Sequence, residues 1–121
     1  MSKILIADDD PDVLDCLAIF FEDEQHDVLL ASNGEEALAV ATTTALDLIV
    51  LDLMMPLANG GEVVRALRSA KVETPILLAS ADPALRAKAK ELGVQGHIAK
   101  PYDFDALLEK VEACLGRAAA P

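Results

Sequence analysis

The chain has 121 residues, 53% hydrophobic and 26% charged, and ten basic against twenty-one acidic side chains give a formal net charge of −11. That length allows one domain with a single hydrophobic core, and the charge argues against direct binding to nucleic acid or an anionic membrane, both of which need a basic surface. Cys16 and Cys114 are too few for a disulfide framework and lack metal spacing, and neither a signal segment nor a long apolar run occurs, so a cytoplasmic chain with core or half-buried thiols is expected.

Along the chain, short apolar runs alternate with longer helical patterns. The first run, "KILIA", ends directly in Asp8, Asp9 and Asp10. Asp10 precedes Pro11, the arrangement of a helix cap followed by a first-turn proline, and Val13, Leu14, Leu17, Phe20 and Phe21 then mark one apolar face. The run "DVLLA" and a helix from "SNGEEALAVA" follow. Next come "DLIVL", ending at Asp52, and a helix "EVVRALRSA" after Gly60–Gly61. "PILLA" leads to Ser80, followed by a helix "DPALRAKAKEL" stopped at Gly93, where glycine commonly ends helices. "GHIA" leads to Lys100, and "DFDALLEKVEACL" forms the last helix, closed by Gly116. Residues 1–116 are expected as the domain and 117–121 as a tail or linker stub. Apolar strands alternating with helices predict a parallel sheet covered on both faces, an α/β doubly wound fold with five strands and five helices.

In such a sheet the residues after each strand share one edge, where open α/β folds bind ligands. Asp8, Asp9, Asp52, Ser80 and Lys100 all fall there. If the first and third strands are neighbours, about 4.8 Å apart, their terminal carboxylates converge. Three carboxylates are oxygen ligands for a hard cation such as Mg²⁺. Adding a lysine and a hydroxyl makes a receptor for a phosphoryl group, with Asp52 able to act as nucleophile. Asp10 reads as a cap, whereas one cap does not explain Asp8 and Asp9. Ser80 would be free for the site because Asp82–Pro83 offers the better cap for the next helix.

The stretches "ILIADDDPDV", "ASNGEEALAV", "DLIVLDLMMPLANGGEVVRALR", "PILLASAD" and "GHIAKPYDFDALL" together resemble the receiver domains of two-component response regulators. The resemblance implies a flavodoxin-like sheet of order 2-1-3-4-5. It implies Asp52 as phosphoacceptor, with Asp8, Asp9, Asp52 and the Met54 backbone carbonyl around Mg²⁺. Ser80 would be the switch hydroxyl, Lys100 the lysine that pairs with the phosphoryl group, and Lys100–Pro101 a cis bond. His97 stands where the family usually carries a rotating Tyr or Phe, and both an inward switch ring and a solvent-facing histidine are open. Met54 and Ala81 fall beside the path of a water attacking the phosphate. The implied partners are a histidine kinase or histidine phosphotransfer protein and a downstream protein or output domain. A phosphorylation-dependent dimer is compatible with this. Such a domain is not an enzyme in the conventional sense, since it catalyses its own phosphorylation and dephosphorylation.

Three competitors can be weighed on the residues. A haloacid-dehalogenase-type phosphatase needs a second Asp two residues after the nucleophile, where Met54 stands. A flavin-binding module needs a Ser/Thr/Gly-rich phosphate loop after the first strand, where three acids stand. A pseudo-receiver that docks partners without phosphorylation would not need the whole set of Asp8, Asp9, Asp52, Ser80 and Lys100.

Overall fold

A computed structural model describes residues 2–116; the predicted tail at 117–121 lies outside the described residues. Five strands, β1 (Lys3–Ala7), β2 (Asp27–Ala31), β3 (Leu48–Asp52), β4 (Ile76–Ser80) and β5 (Gly96–Ala99), form one parallel sheet of order β2-β1-β3-β4-β5. Between and after them run α1 (Pro11–Asp23), α2 (Gly34–Thr43), α3 (Gly60–Ser69), α4 (Leu85–Leu92) and α5 (Phe104–Cys114). The expected fold class and strand order are both present.

Alternation along the strands divides the core in two. Leu5 and Ala7 of β1 face one way, with Ala37 and Ala41 of α2, Val63, Val64 and Leu67 of α3, and Leu85 and Ala89 of α4. Ile4 and Ile6 face the other way, against Leu14, Leu17 and Phe21 of α1 and Leu107 and Val111 of α5. The central strands β1, β3 and β4 are buried on both faces, which is why they read as unbroken apolar runs. Fully burying a side chain such as Phe21 stabilises by roughly 1.5–3 kcal/mol, and many such contacts fix the strand register.

The helix ends follow local chemistry, with some departures from the sequence reading. Asp10 caps α1, its side chain accepting from the Asp12 N–H, and Pro11 follows as expected. α4 stops at Gly93, whose φ of 68° is the left-handed conformation that favours glycine. α3 begins earlier than expected, at Gly60, because Asn59 and Glu62 form a reciprocal capping box. α4 begins later, at Leu85, with Ala84 at the cap position and no side-chain cap. β3 and β4 extend one residue further than their apolar runs, which makes Asp52 and Ser80 the last residues of their strands rather than loop residues. Cys114 is half-buried, but Cys16 is exposed, on the solvent side of α1, contrary to expectation. Among the described residues no helix is long and apolar enough to cross a membrane.

Candidate functional site

The sheet order puts β1 beside β3, and β3 beside β4, with β5 next, so the strand ends form one row. Their register fixes the heights: Ala7 pairs with Leu51, Asp52 with Ala79, and Ser80 with Ala99. The Asp8 N–H donates to the Ala31 carbonyl at 3.1 Å, and the Lys100 N–H to the Ser80 carbonyl at 2.9 Å. These backbone bonds carry the ladder one residue past the strands and fix Asp8 and Lys100. The Lys100–Pro101 peptide is cis, as the resemblance implied.

Asp8, Asp9 and Asp52 each bring a carboxylate oxygen within 4.8 Å of the others. Asp8 and Asp52 are buried and Asp9 is exposed, so the cluster opens to solvent on one side. Lys100 Nζ lies between the two buried acids, 2.5 Å from Asp8 Oδ2 and 3.2 Å from Asp52 Oδ2. The remaining oxygens are also engaged: Asp8 Oδ1 accepts from the Asp10 N–H at 2.9 Å, and Asp52 Oδ1 from the Met54 N–H at 3.0 Å. The carboxylates are therefore not stranded, but one cation offsets three negative charges.

The electrostatics follow from that imbalance. Burial pushes the Asp52 carboxyl up; the Met54 N–H and the Lys100 charge pull it down, Asp8 adds to the rise, and the net shift is upward. Burial alone would lower Lys100, but its hydrogen bond to Asp8 and the surrounding negative charges hold it well above the ordinary lysine value. Tyr102, whose ring centroid is 5.8 Å from Lys100 Nζ, is pushed up to about 12, first by burial. A second, mobile cation would relieve the excess charge. The donor set, all oxygen, partly buried and open on the Asp9 side, suits a hard divalent ion such as Mg²⁺.

A cleft of about 510 Å³ covers this row and is lined by Asp9, Asp52, Met54, Ser80, Ala81, Asp82, Pro83 and Lys100. A larger one, about 810 Å³, lies beside it and shares only Asp9 and Met54, with Leu53, Met55 and Leu92 among its apolar residues. The reactive groups belong to the smaller cleft. Ser80 is buried at its edge but is not free, as the sequence reading had it: its Oγ accepts the Asp82 N–H at 3.0 Å. Asp82 is not the cap of α4 either; its carboxylate accepts from the Ala84 N–H at 2.8 Å within the turn. His97 is half-buried in β5, in register with Leu78 of the α2–α3–α4 face, intermediate between the two arrangements left open. Met54 is 62% exposed, so its side chain is not core.

The sequence reading took Gly60 as part of the motif after Asp52 without its steric reason, and passed over Gly34; both glycines bring this edge together. A Cβ on Gly60 would stand 2.7 Å from Leu53 Cα and 2.8 Å from the Asp52 carbonyl, directly behind Asp52. A Cβ on Gly34 would meet the Ala58 carbonyl at 2.0 Å, so α2 touches the loop after β3 only because residue 34 has no side chain. Tyr102 was also missed. Its only signal was its place two residues after Lys100.

Comparison with known proteins agrees with the geometry. A family model described as response regulator receiver domain matches residues 4–112. The transcriptional regulatory protein PcoR of Escherichia coli is 35% identical over 120 residues, 98% of this chain and 53% of that protein. The alkaline phosphatase synthesis transcriptional regulatory protein PhoP of Bacillus subtilis is 39% identical over 123 residues, 98% of this chain and 51% of its own length. The chain thus spans about half the length of these curated relatives. A Francisella response regulator receiver domain superposes with a TM-score of 0.90 at 30% identity, covering 98% of this chain and 99% of its own. TrrA of Thermotoga maritima, solved in complex with Mg²⁺ and beryllofluoride, gives a TM-score of 0.86 at 32% identity, covering 94% of this chain and 99% of its own.

Proposed function

The chain belongs to the response regulator receiver family, and from that membership and the site geometry we propose that Asp52 accepts a phosphoryl group from a phosphohistidine and that the domain thereby acts as a signalling switch. The observation that carries the reading is the convergence of Asp8, Asp9 and Asp52 about one lysine at the carboxyl edge of the sheet. A docking-only role would not need three carboxylates gathered about one lysine at this edge.

Asp8, Asp9, Asp52 and the Met54 carbonyl would hold Mg²⁺, which when bound neutralises charge on the transferring group. In this reading an Asp52 oxygen forms a bond to phosphorus as the N–P bond of the donor imidazole breaks. The imidazole leaves with the electron pair and takes up a proton. The Met54 N–H, on Asp52 Oδ1, orients the carboxylate. Lys100, on Oδ2, is placed to follow the charge onto a phosphoryl oxygen without leaving its Asp8 contact. Most of the catalysis is then positioning and charge neutralisation by groups already in place. Hydrolysis of the acyl phosphate, with water attacking phosphorus past Met54 and Ala81, returns Asp52 to a carboxylate. The domain thus acts on itself and is not an enzyme in the conventional sense.

The switch would be a population shift between two arrangements of the β4–α4 turn and the α4–β5–α5 surface, with Ser80 moving to the phosphoryl group and His97 turning inward. The partners of this reading are a histidine kinase or histidine phosphotransfer protein and an output domain or downstream protein, with the domain itself placed in the cytoplasm. A phosphorylation-dependent dimer is one form the output could take. With a charge of −11, direct nucleic-acid contact is not assigned to this domain.

Incubating the chain with a ³²P-labelled phosphohistidine phosphotransfer protein and Mg²⁺ tests the reading. Labelling of the wild type, absent from Asp52→Ala and labile to hydroxylamine as an acyl phosphate must be, is the expected result. Label that persists in Asp52→Ala, or none in either protein, would replace the reading with a receiver that docks without phosphorylation.

A further inference from the structure

The turn from Ser80 to Leu85 is held by four polar contacts that share one residue, one of them the Leu85 N–H donating to the Asp82 carbonyl at 3.0 Å. The Asp82 N–H donates to Ser80 Oγ at 3.0 Å. The Asp82 carboxylate accepts from the Ala84 N–H at 2.8 Å and from Lys88 Nζ, on α4, at 3.0 Å. Ala84 occupies the cap position of α4 and offers no side-chain bond, so Asp82 supplies the polar tie between turn and helix. The Ala84 N–H and then the Lys88 ammonium hold the Asp82 carboxyl below the usual carboxylate range, so it is ionised at neutral pH. Ser80 and Asp82 line the cleft over Asp52, whereas Lys88 lines only the neighbouring one.

We propose that Lys88 is a positioning residue for Ser80: through Asp82 it holds the β4–α4 turn in the arrangement that engages the Ser80 oxygen, and so resists the movement of Ser80 toward a phosphoryl group on Asp52. The inference rests on the phosphoacceptor reading and adds to it a residue outside the reacting groups. Rotation of the Ser80 hydroxyl toward Asp52 removes its oxygen from the Asp82 N–H, and the turn must then yield. Its resistance depends on how firmly the Asp82 carboxylate is tied to α4. The Lys88 and Asp82 side chains are 44% and 28% exposed, which places the pair among modest, salt-screened interactions. The effect on the switch is accordingly a few-fold, not orders of magnitude. The same tie links the site to α4, so a change at Ser80 reaches that helix through this charged contact and through the Leu85 N–H on the Asp82 carbonyl.

The test is the affinity of the whole chain for beryllofluoride, a phosphoryl mimic, in the presence of Mg²⁺, measured by calorimetry beside amide hydrogen exchange. Lys88→Met is expected to bind about two- to fivefold more tightly than wild type. The Asp82 amide should exchange faster in this variant, with β1 and β3 unchanged. Lys88→Arg, which keeps the charge, should retain the wild-type affinity, and high salt should shrink the difference between wild type and Lys88→Met. Equal or weaker binding by Lys88→Met, or faster exchange spread over the whole sheet, would overturn the positioning role while leaving the acceptor reading intact. Failure of the wild type itself to bind beryllofluoride would overturn the acceptor reading and this inference together.

Discussion

Replacing Lys100 with methionine keeps the length and apolar stem of the side chain but removes the cation between Asp8 and Asp52. At an effective dielectric of about 20, an ammonium 2.5 Å from one carboxylate and 3.2 Å from another gains about 7 and about 5 kcal/mol of gross attraction. The two acids, within 4.8 Å of each other, repel by at least about 3 kcal/mol on the same scale. Desolvation of all three groups consumes most of what remains, so the gross figures are not a stability. Removing one partner of a buried pair costs about 3–5 kcal/mol. The Lys100 side chain is 21% exposed, while those of Asp8 and Asp52 are 2% and 6% exposed, so solvent screening reduces the expected loss to about 2–3 kcal/mol. Because the folded Lys100 pKa is raised, its contribution is fully present at neutral pH and is lost only as pH rises through that strongly alkaline value. Urea unfolding of wild type and Lys100→Met in EDTA at pH 7 measures the loss directly. Mg²⁺ at ten times its Kd should return about 1.4 kcal/mol, and at least as much to the variant as to the wild type, since it supplies the missing positive charge. Equal midpoints for the two proteins in EDTA would refute the assignment of Lys100 as the electrostatic keystone of the acidic cluster.

Three further outcomes follow from the same geometry. Asp52→Asn should be more stable than wild type at pH 7: the raised folded pKa means that ionisation of Asp52 opposes folding above that pKa. The advantage should disappear as pH falls through the raised pKa toward the unfolded value, and a gain that grows in acid would contradict the sign. Gly34→Ala places a Cβ 2.0 Å from the Ala58 carbonyl, so a loss of about 3 kcal/mol in thermal or urea unfolding is expected, together with shifted amide resonances in residues 54–58; a neutral variant would show that α2 and the loop are not in contact. Met54→Asn exchanges an exposed thioether beside Asp52 for an amide that can orient water, so the lifetime of the phosphorylated domain should change several-fold, and an unchanged half-life would remove Met54 from the path of water.

Much of this architecture was legible because its signals are local and periodic. "KILIA", "DVLLA" and "GHIA" coincide with β1, β2 and β5, and Asp10–Pro11 and Gly93 mark helix ends by chemistry that needs no tertiary context. The convergence of Asp8, Asp9 and Asp52 followed once strand ends were placed on one edge, and the observed register brings them together. What stayed hidden depends on contacts far apart in sequence or on competition between nearby partners. Gly34 and Ala58 meet across 24 residues of chain, and no pattern at either position announces it. Ser80 was read as free because Asp82–Pro83 resembles a helix start; in the folded chain the turn is wider, α4 begins three residues later, and Asp82 gives its N–H to Ser80. The capping box at Asn59 and Glu62 was legible as a four-residue pattern and passed over because the glycine pair drew the boundary too late. Cys16 was expected to be core or half-buried from its place in a helical pattern, whereas on α1 the buried positions are Leu14, Leu17 and Phe21, none of them a whole turn from residue 16.

The central claim is that Asp52 takes up a phosphoryl group with the help of a metal held by Asp8 and Asp9. Intact mass after incubation with acetyl phosphate reads it in one step, in the presence and absence of Mg²⁺ and beside an Asp52→Ala control. A single added phosphate in the wild type, dependent on Mg²⁺ and absent from the control, is the expected result. A chain that gains no mass under any of these conditions, or gains the same mass without Asp52, would contradict the claim and leave the acidic cluster without the chemistry assigned to it.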